Sequence, residues 1–273
     1  MIYNCLNNLK STNPIIHNIT NYVTVNDCAN MILASGASPI MSDEYDEIED
    51  IVSISNGLNI NIGTLNKETI KSMILAGITA NKLDKPVLLD PVGTGASKLR
   101  TNTSYSLLKE IKFSVIKGNI SEIKTLMIGS STTLGVDANI EDKITNENLQ
   151  ETIKLLKDFS KKINSIIVVT GEIDLVVDEN KAYVIRNGHK MMSKITGSGC
   201  MLGALITAFI SANKSNMLDA TACAVICSGI CGEIAHNRLN DNEGNITFRN
   251  YFIDAMFNMD TTTLEKGAKY EIY

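Results

Sequence analysis

The sequence predicts an α/β fold in which a mainly parallel sheet carries helices on both faces. Short runs rich in β-branched residues alternate with longer stretches that repeat apolar residues at helical spacing. Several of the short runs are apolar throughout, as in strands that are covered on both sides. Alternation of this kind is typical of parallel sheets, because each parallel pair of strands needs a crossover connection.

In the first half of the chain, short apolar runs predict strands at residues 39–41, 58–62, 87–90 and 114–116. Helical periodicity separates them and predicts helices at residues 22–34, 46–55, 67–81, 104–112 and 122–128.

In the second half, the same criteria predict strands at residues 166–170, 175–177 and 182–186, and helices at residues 148–163, 200–212, 218–237 and 249–258. Only four residues separate consecutive strands between residues 166 and 186, which suits hairpins and predicts an antiparallel edge. The polar residues 129–148 predict a surface excursion. Because no composition shift or internal repeat marks a boundary, we expect residues 1–273 to form one domain.

Composition excludes several classes of function. The net charge is −5 and no Lys/Arg cluster occurs, which argues against a nucleic-acid partner. The N-terminus lacks the basic and apolar segments of a secretory signal. The longest nearly uncharged stretches, residues 201–210 and 220–232, are shorter than the ~18 residues of a membrane span, so they predict buried helices and no membrane association.

Six cysteines occur without a CxxC pair or zinc spacing. Cys223, Cys227 and Cys231 recur every four residues, which predicts a small apolar packing face on one helix. This cysteine usage fits a reducing cytoplasm.

The most informative segment is ITGSGCMLGA at residues 195–204. Two glycines precede Cys200, and an apolar helical pattern follows at once. The backbone N–H groups of Gly197, Ser198, Gly199 and Cys200 would then form an anion hole at a helix N-terminus. Cys200 lies in the first helical turn, which favours its thiolate. Phosphoryl transfer to an alcohol requires such an anion hole beside a proton acceptor. The alternative is a glycine-rich turn that only caps a packed helix.

Polar residues follow three further strands, at the sheet edge where ligands of open α/β folds bind. Asp90 ends an apolar strand, where it would lie near a metal ion or a phosphate, or form an Asx turn. Lys117 could reach a phosphate, whereas Asn119 and Glu122 also fit a helix cap. Thr170 precedes a glycine and could hold a nucleotide, although a plain hairpin turn explains it equally.

The segment IIHNITNYVTVND at residues 15–27 is rich in polar residues for a predicted strand-to-helix junction, and it could line a pocket for a polar heterocycle, with Asn21 in contact with it. The alternatives are that Asn21 caps the next helix and that His17 makes a structural hydrogen bond. Met41 ends a short strand and could contact a ligand or fill the core.

Taken in chain order, six motifs resemble the hydroxyethylthiazole kinase family of the ribokinase-like superfamily. They are HNITNYV at His17, ASPIMS at Ala37, LLDPVGTGAS at Leu88, VIKGNISEI at Val115, VVTGEIDLV at Val168 and ITGSGCMLGAL at Ile195. The resemblance implies a three-layer α/β/α sandwich. It also implies an ATP-dependent, Mg²⁺-requiring kinase that phosphorylates 4-methyl-5-(2-hydroxyethyl)thiazole for thiamine diphosphate salvage. The family's assembly is a trimer with thiazole pockets between subunits.

The same resemblance implies a role for each matching residue. Met41 and Gly197 would contact the thiazole, and Lys117 and Thr170 would contact ATP. Asn119 belongs to the Asn-x-x-Glu motif of the superfamily, and we expect it to contact ATP as well. Asp90 and Glu122 would lie near Mg²⁺ and the phosphates. Cys200 occupies the position where most ribokinase-like enzymes have an aspartate base. Many relatives carry Arg at position 117; Lys keeps the charge but not the bidentate geometry.

Three other functions stay open at this point. The first is a ribokinase-like kinase for another small alcohol such as hydroxymethylpyrimidine, or an ATP-dependent hydrate dehydratase. The second is a thiol hydrolase, which would need His17 or His189 beside Cys200. The third is a nucleotide-binding regulatory protein without turnover.

Overall fold

The computed structural model describes residues 2–129 and 143–273. Its strands are β1 Ile15–Ile19, β2 Ser38–Met41, β3 Gly57–Asn61, β4 Val87–Asp90, β5 Val115–Asn119, β6 Ile166–Thr170, β7 Asp174–Val177, β8 Ala182–Ile185 and β9 Tyr270–Ile272. Its helices are α1 Asn4–Thr12, α2 Val25–Ser35, α3 Ile48–Ile54, α4 Lys67–Lys82, α5 Lys98–Glu110, α6 Ile120–Gly129, α7 Leu149–Ile163, α8 Ser198–Ala212, α9 Met217–Arg238, α10 Asn245–Phe257 and α11 Thr261–Gly267.

The described strands form one sheet in the order β2-β1-β3-β4-β5-β6-β7-β8-β9. All pairs from β2 to β6 are parallel, and β7, β8 and β9 join as antiparallel neighbours. The predicted parallel sheet with an antiparallel edge is therefore confirmed. Because β1, β3, β4, β5 and β6 run in the same direction, their carboxyl ends bring the predicted polar residues to one edge.

Helices cover both faces of the sheet, so the architecture is a three-layer α/β/α sandwich. On one face, α1, α2, α8, α9 and α10 bury a core that includes Leu6, Met31, Leu205, Ile226 and Phe252. On the other face, α3 to α7 bury a second core that includes Val52, Met73, Leu107, Ile123 and Leu156. Strand residues alternate between the two cores, which is why several of these strands are mostly apolar.

Helix α8 lies in the first core and is almost completely buried after its first turn. The cysteines of α9 are buried and free, as the predicted packing face requires. Helix α9 with its preceding turn, Lys214–Arg238, is by length and composition long and apolar enough to cross a membrane. However, 72% of its most apolar window is buried within the protein, as in the core helix of a soluble protein.

Several predicted boundaries were wrong. Helix α5 begins at Lys98 and not at residue 104, because Ser97 caps it by accepting a hydrogen bond from the Arg100 N–H. Helices α1 and α11 and strand β9 were not predicted, since few apolar residues mark them. The predicted surface excursion at residues 129–148 falls mostly on residues 130–142, outside the described residues.

Candidate active site

The N-terminus of α8 forms the centre of the site. Gly197 has a φ of 85°, a left-handed conformation that favours glycine, and a Cβ there would lie 2.4 Å from Thr24 Cγ2. The first helical hydrogen bond runs from the Met201 N–H to the Gly197 carbonyl oxygen at 2.8 Å. The N–H groups of Ser198, Gly199 and Cys200 therefore point out of the helix without an intrahelical partner. We call the backbone of residues 197–200 the anion cradle.

The sulfur of Cys200 lies beside the anion cradle and accepts two hydrogen bonds. Asn21 Nδ2 and Asn61 Nδ2 each donate to it at 3.2 Å. No imidazole contacts the sulfur in the described part of the chain. His17 Nε2 lies 2.9 Å from the Ser42 carbonyl oxygen, and burial lowers the pKa of this histidine. The thiol–imidazole pair that a thiol hydrolase would require is therefore not formed by the described residues.

A buried ion pair lies directly beneath the anion cradle. Lys117 Nζ is 3.0 Å from Asp90 Oδ1, and also donates to the Gly199 carbonyl oxygen at 3.1 Å. Burial lowers the pKa of Lys117, but attraction to the Asp90 carboxylate reverses this and the net direction is upward. Burial is also the largest influence on Asp90 and raises its pKa against the opposing effect of Lys117. The pair joins β4 and β5 to the first turn of α8.

Glu122 and Asn119 form a reciprocal cap at the start of α6. The Glu122 N–H donates to Asn119 Oδ1 at 2.9 Å, and the Asn119 N–H donates to Glu122 Oε2 at 2.8 Å. Glu122 Oε1 also accepts from the Gly93 N–H at 2.8 Å, which fixes the turn that follows Asp90. The predicted capping alternative is thus present, and the metal and ATP roles of these two residues stay predictions.

A cavity of about 800 Å³ opens on one side of the anion cradle. Its walls include Thr170, Asp174 and His189 together with Ser198 and Gly199 of the cradle. Thr170 Oγ1 is 3.4 Å from the Gly118 carbonyl oxygen. A cavity of this volume is within the range of small-molecule and cofactor sites. The predicted ATP residue Thr170 therefore lies where a nucleotide could extend away from the anion cradle.

Asp174, which lines this cavity, should make the free energy of unfolding depend on pH. Burial raises its pKa to about 7, although the Gly171 N–H, which donates to Oδ1 at 2.8 Å, opposes the shift. In the unfolded chain the pKa of this carboxyl group is about 3.9, so as the pH rises the unfolded state loses the proton before the folded state does. The contribution of Asp174 to the free energy of unfolding therefore decreases between about pH 4 and pH 7. We expect Asp174→Asn to raise Tm above pH 7 and to change it little near pH 4. Thermal unfolding followed by circular dichroism would check this, and a pH-independent change in Tm would contradict it.

A smaller cavity of about 200 Å³ lies on the other side of the site. It is lined by Met41, Thr20 and Tyr22, among others, and Asn21 lies between the last two in the sequence. Thr20 Oγ1 is buried without a hydrogen-bond partner among the described residues. A polar group of a bound molecule could satisfy this hydroxyl. The predicted substrate residue Met41 therefore lines a cavity together with the two sequence neighbours of Asn21, which contacts the Cys200 sulfur.

The donor set fits a magnesium ion bound mainly through phosphates. Asp90 and Glu122 supply the carboxylate oxygens that Mg²⁺ prefers, but all four oxygens already accept hydrogen bonds from protein groups. The described residues hold no cluster of three or more His, Cys, Asp or Glu side chains that could bind a metal. Mg²⁺ is commonly held by one or two carboxylates with phosphates and water, and this arrangement is compatible with that mode.

Sequence analysis missed Asn61, which contacts both Cys200 and Asp90. It ends β3, so it obeys the same strand-end rule that selected Asp90 and Thr170. No glycine-rich turn or charged neighbour follows it to mark it locally. The strand order was the missing information, because β3 lies between β1 and β4 and thus brings Asn61 next to both Asn21 and Asp90.

Comparison with known proteins gives a consistent result. The hydroxyethylthiazole kinase family matches residues 6–262. The chain is 57% identical to a hydroxyethylthiazole kinase of Clostridium acetobutylicum, over 100% of both sequences. The structure of a hydroxyethylthiazole kinase protein from Pyrococcus horikoshii OT3 is similar with a TM-score of 0.88 and 32% identity, covering 100% of this chain and 98% of that one. A ribokinase-like superfamily protein from Enterococcus faecalis V583 shares the fold at a TM-score of 0.59 and 12% identity, covering 92% of this chain and 88% of that one.

Proposed function

Since the chain belongs to the hydroxyethylthiazole kinase family, we propose that it transfers the γ-phosphoryl group of ATP to the hydroxyl of 4-methyl-5-(2-hydroxyethyl)thiazole at the anion cradle. This is a salvage step towards thiamine diphosphate. The observation that supports the assignment of the site is that Ser198 and Gly199 of the anion cradle line the larger cavity. Asn21, which donates to the Cys200 sulfur, lies in the sequence between Thr20 and Tyr22 of the smaller one. The smaller cavity, lined by Met41, receives the thiazole alcohol, and the larger, lined by Thr170, receives ATP.

The N–H groups of residues 198–200 stabilise the charge on the transferring group, and the helix dipole adds to this effect. The substrate oxygen forms the new bond to phosphorus, and the bond to the β–γ bridging oxygen breaks with its electron pair leaving on ADP. The hydroxyl proton passes to the sulfur of Cys200. Lys117 holds the Gly199 carbonyl group, and thereby the first turn of α8, in place. Positioning and charge neutralisation supply most of the rate.

Glu122, which is partly exposed, would hold Mg²⁺ together with the phosphates of ATP, and the fully buried Asp90 would contribute its charge from beneath the anion cradle. When bound there, the ion neutralises phosphate charge and orients the γ-phosphoryl group. Asn119 would contact ATP from the exposed start of α6, adjacent to Thr170 in the paired strands β5 and β6.

A coupled assay of ADP formation tests the proposed function. We expect turnover with hydroxyethylthiazole and little or none with hydroxymethylpyrimidine, because Met41 and Asn21 would shape the smaller cavity for the thiazole. Preference for the pyrimidine would assign the chain to the alternative substrate, and absence of ADP formation with either alcohol would reject the kinase activity.

The substitution Glu122→Gln tests the metal-side role. The neutral amide binds Mg²⁺ more weakly, so we expect the Mg²⁺ concentration that gives half-maximal turnover to rise roughly tenfold. Glu110→Gln, on the exposed surface of α5, is the control. Because Glu122 also caps α6, the loss of stability should be about 1 kcal/mol and is measured separately by urea unfolding. An unaltered Mg²⁺ titration would contradict the role.

We also propose that the chain is one kinase domain that assembles as a homotrimer in the cytoplasm, with its thiazole sites between subunits. Tyr22 lines the smaller cavity and is 79% exposed, and the adjacent Val23 is 59% exposed. A neighbouring subunit could bury these side chains and close the cavity. Sedimentation velocity should give a species of three times the 29.7 kDa chain mass. A monomer at concentrations that support turnover would contradict the assembly.

A further inference from the structure

The side chain of Asn61 has every hydrogen-bonding position occupied. Its Nδ2 donates to Asp90 Oδ2 at 2.7 Å and to Cys200 Sγ at 3.2 Å. Its Oδ1 accepts from Asn21 Nδ2 and from the Gly63 N–H, both at 2.9 Å. An amide has two donor hydrogens and two acceptor lone pairs, so this set is complete. Reversing the amide would place its donors against two other donors, and its orientation is therefore fixed by its neighbours.

Asn21 is held in the same way. Its Oδ1 accepts from the Thr24 N–H at 3.1 Å and from Thr24 Oγ1 at 3.0 Å, so its Nδ2 must face Asn61 and Cys200. Both amides are buried, at 4% exposure for Asn21 and 1% for Asn61. The sulfur of Cys200 therefore faces two fixed donors on its protein side. Any proton it receives from a substrate must arrive from the opposite, partly open side.

We propose that Asn61 is a positioning residue that holds the Cys200 sulfur as a proton acceptor and links it to the Asp90–Lys117 pair beneath the anion cradle. This inference rests on the proposed function of Cys200. One amide group contacts both the proton acceptor and the carboxylate that binds Lys117, and Lys117 in turn contacts Gly199. A shift of Asn61 would thus disturb the sulfur and the anion cradle together.

Asn59 offers a matched control on the same strand. It lies two residues before Asn61, so both side chains point to the same face of the sheet. It is also 1% exposed, and its Nδ2 donates to Asn18 Oδ1 at 3.0 Å, whereas its Oδ1 has no hydrogen-bond partner among the described residues. Leucine is similar in size to asparagine, so either Asn→Leu substitution removes a buried amide group while largely keeping the volume of the side chain. Only the substitution at position 61 removes a donor from the sulfur.

The first measurement does not depend on turnover. Asn61→Leu should slow the alkylation of Cys200 by iodoacetamide at neutral pH roughly tenfold, because the anionic sulfur reacts and it loses one of its two donors. Site-resolved mass spectrometry separates Cys200 from the five buried cysteines. The Asn59→Leu protein should react at the wild-type rate. Equal rates in all three proteins would overturn the proposal, even if the chain had no kinase activity.

The second measurement is a double-mutant cycle in kcat. Asn61→Leu should lower kcat at least tenfold in the wild-type background and less than about threefold in a Cys200→Ala background, since the larger part of its effect acts through the sulfur and the remainder through Asp90. Asn59→Leu should leave kcat nearly unchanged in both backgrounds. Equal effects of Asn61→Leu in the two backgrounds would show a purely structural role. Failure of the proposed function would instead appear as absence of turnover in the parent protein.

Discussion

Replacing Cys200 with alanine is expected to lower kcat with the thiazole alcohol by about 10²- to 10⁴-fold, the usual range for loss of a positioned proton acceptor. The Kd for ATP should change little, because the backbone N–H groups of the anion cradle remain. The loss should be partial, since a loose transition state for phosphoryl transfer places little demand on a strong base. Cys200→Ser should keep the fold and ATP binding and also lower turnover.

Single-turnover kinetics and calorimetric titration with ATP would separate the two effects. Cys231→Ala, which removes a buried free cysteine of α9, controls for the loss of a thiol elsewhere in the fold. Unchanged kcat at saturating substrate in both Cys200 variants would remove the proton-acceptor role. A large rise in the Kd for ATP would instead indicate that the variant has disturbed the anion cradle.

Replacing Lys117 with methionine is expected to cost about 3–5 kcal/mol of unfolding free energy, because it leaves Asp90 as an uncompensated buried charge. Asp90 is fully buried and Lys117 is 5% exposed, so water cannot replace the lost partner. The double variant Lys117→Met with Asp90→Asn should recover most of the stability, since it removes both charges. Turnover should be low in both the single and the double variant, because the contact of Lys117 with Gly199 is absent from both.

Urea unfolding at several pH values would test this effect. Burial already raises the pKa of Asp90, and loss of Lys117 raises it further, so Asp90 protonates more readily in the single variant. The destabilisation should therefore grow as the pH rises above about 4 and should be small in acid. Lys154→Met, at an exposed position of α7, is the control. Equal stability losses in the single and double variants would contradict the importance of the unpaired charge.

The sequence predicted the architecture because parallel strands covered on both faces must be apolar throughout. The strand Ile166–Thr170 was predicted with its observed bounds, and the antiparallel strands after it followed from the short connections between them. Elements with little apolar surface were not predicted. Helix α1 buries only Cys5, Leu6 and Leu9 within a polar segment, and strand β9 at the sheet edge has two of its three residues exposed.

For the candidate site, the local sequence identified the residues that end the strands, but not which of these side chains contact one another. Asp90, Lys117 and Cys200 were each predicted from their own segment, and the structure places them around a common centre. That Lys117 binds Asp90 could not be predicted, because it depends on the adjacency of β4 and β5. Asn61 was missed for the same reason, since its importance comes from neighbours on three separate segments of the chain.

The close approach of Gly197 to Thr24 also restricts how this enzyme can evolve. A side chain at residue 197 would need both a smaller residue at position 24 and a backbone that tolerates a φ of 85°. A smaller residue at position 24 would remove the close contact but not the backbone strain, so residue 197 favours glycine whatever occupies position 24. A saturation library would therefore retain glycine at residue 197 almost without exception, whereas tolerated variation would accumulate on the exposed faces of the outer helices.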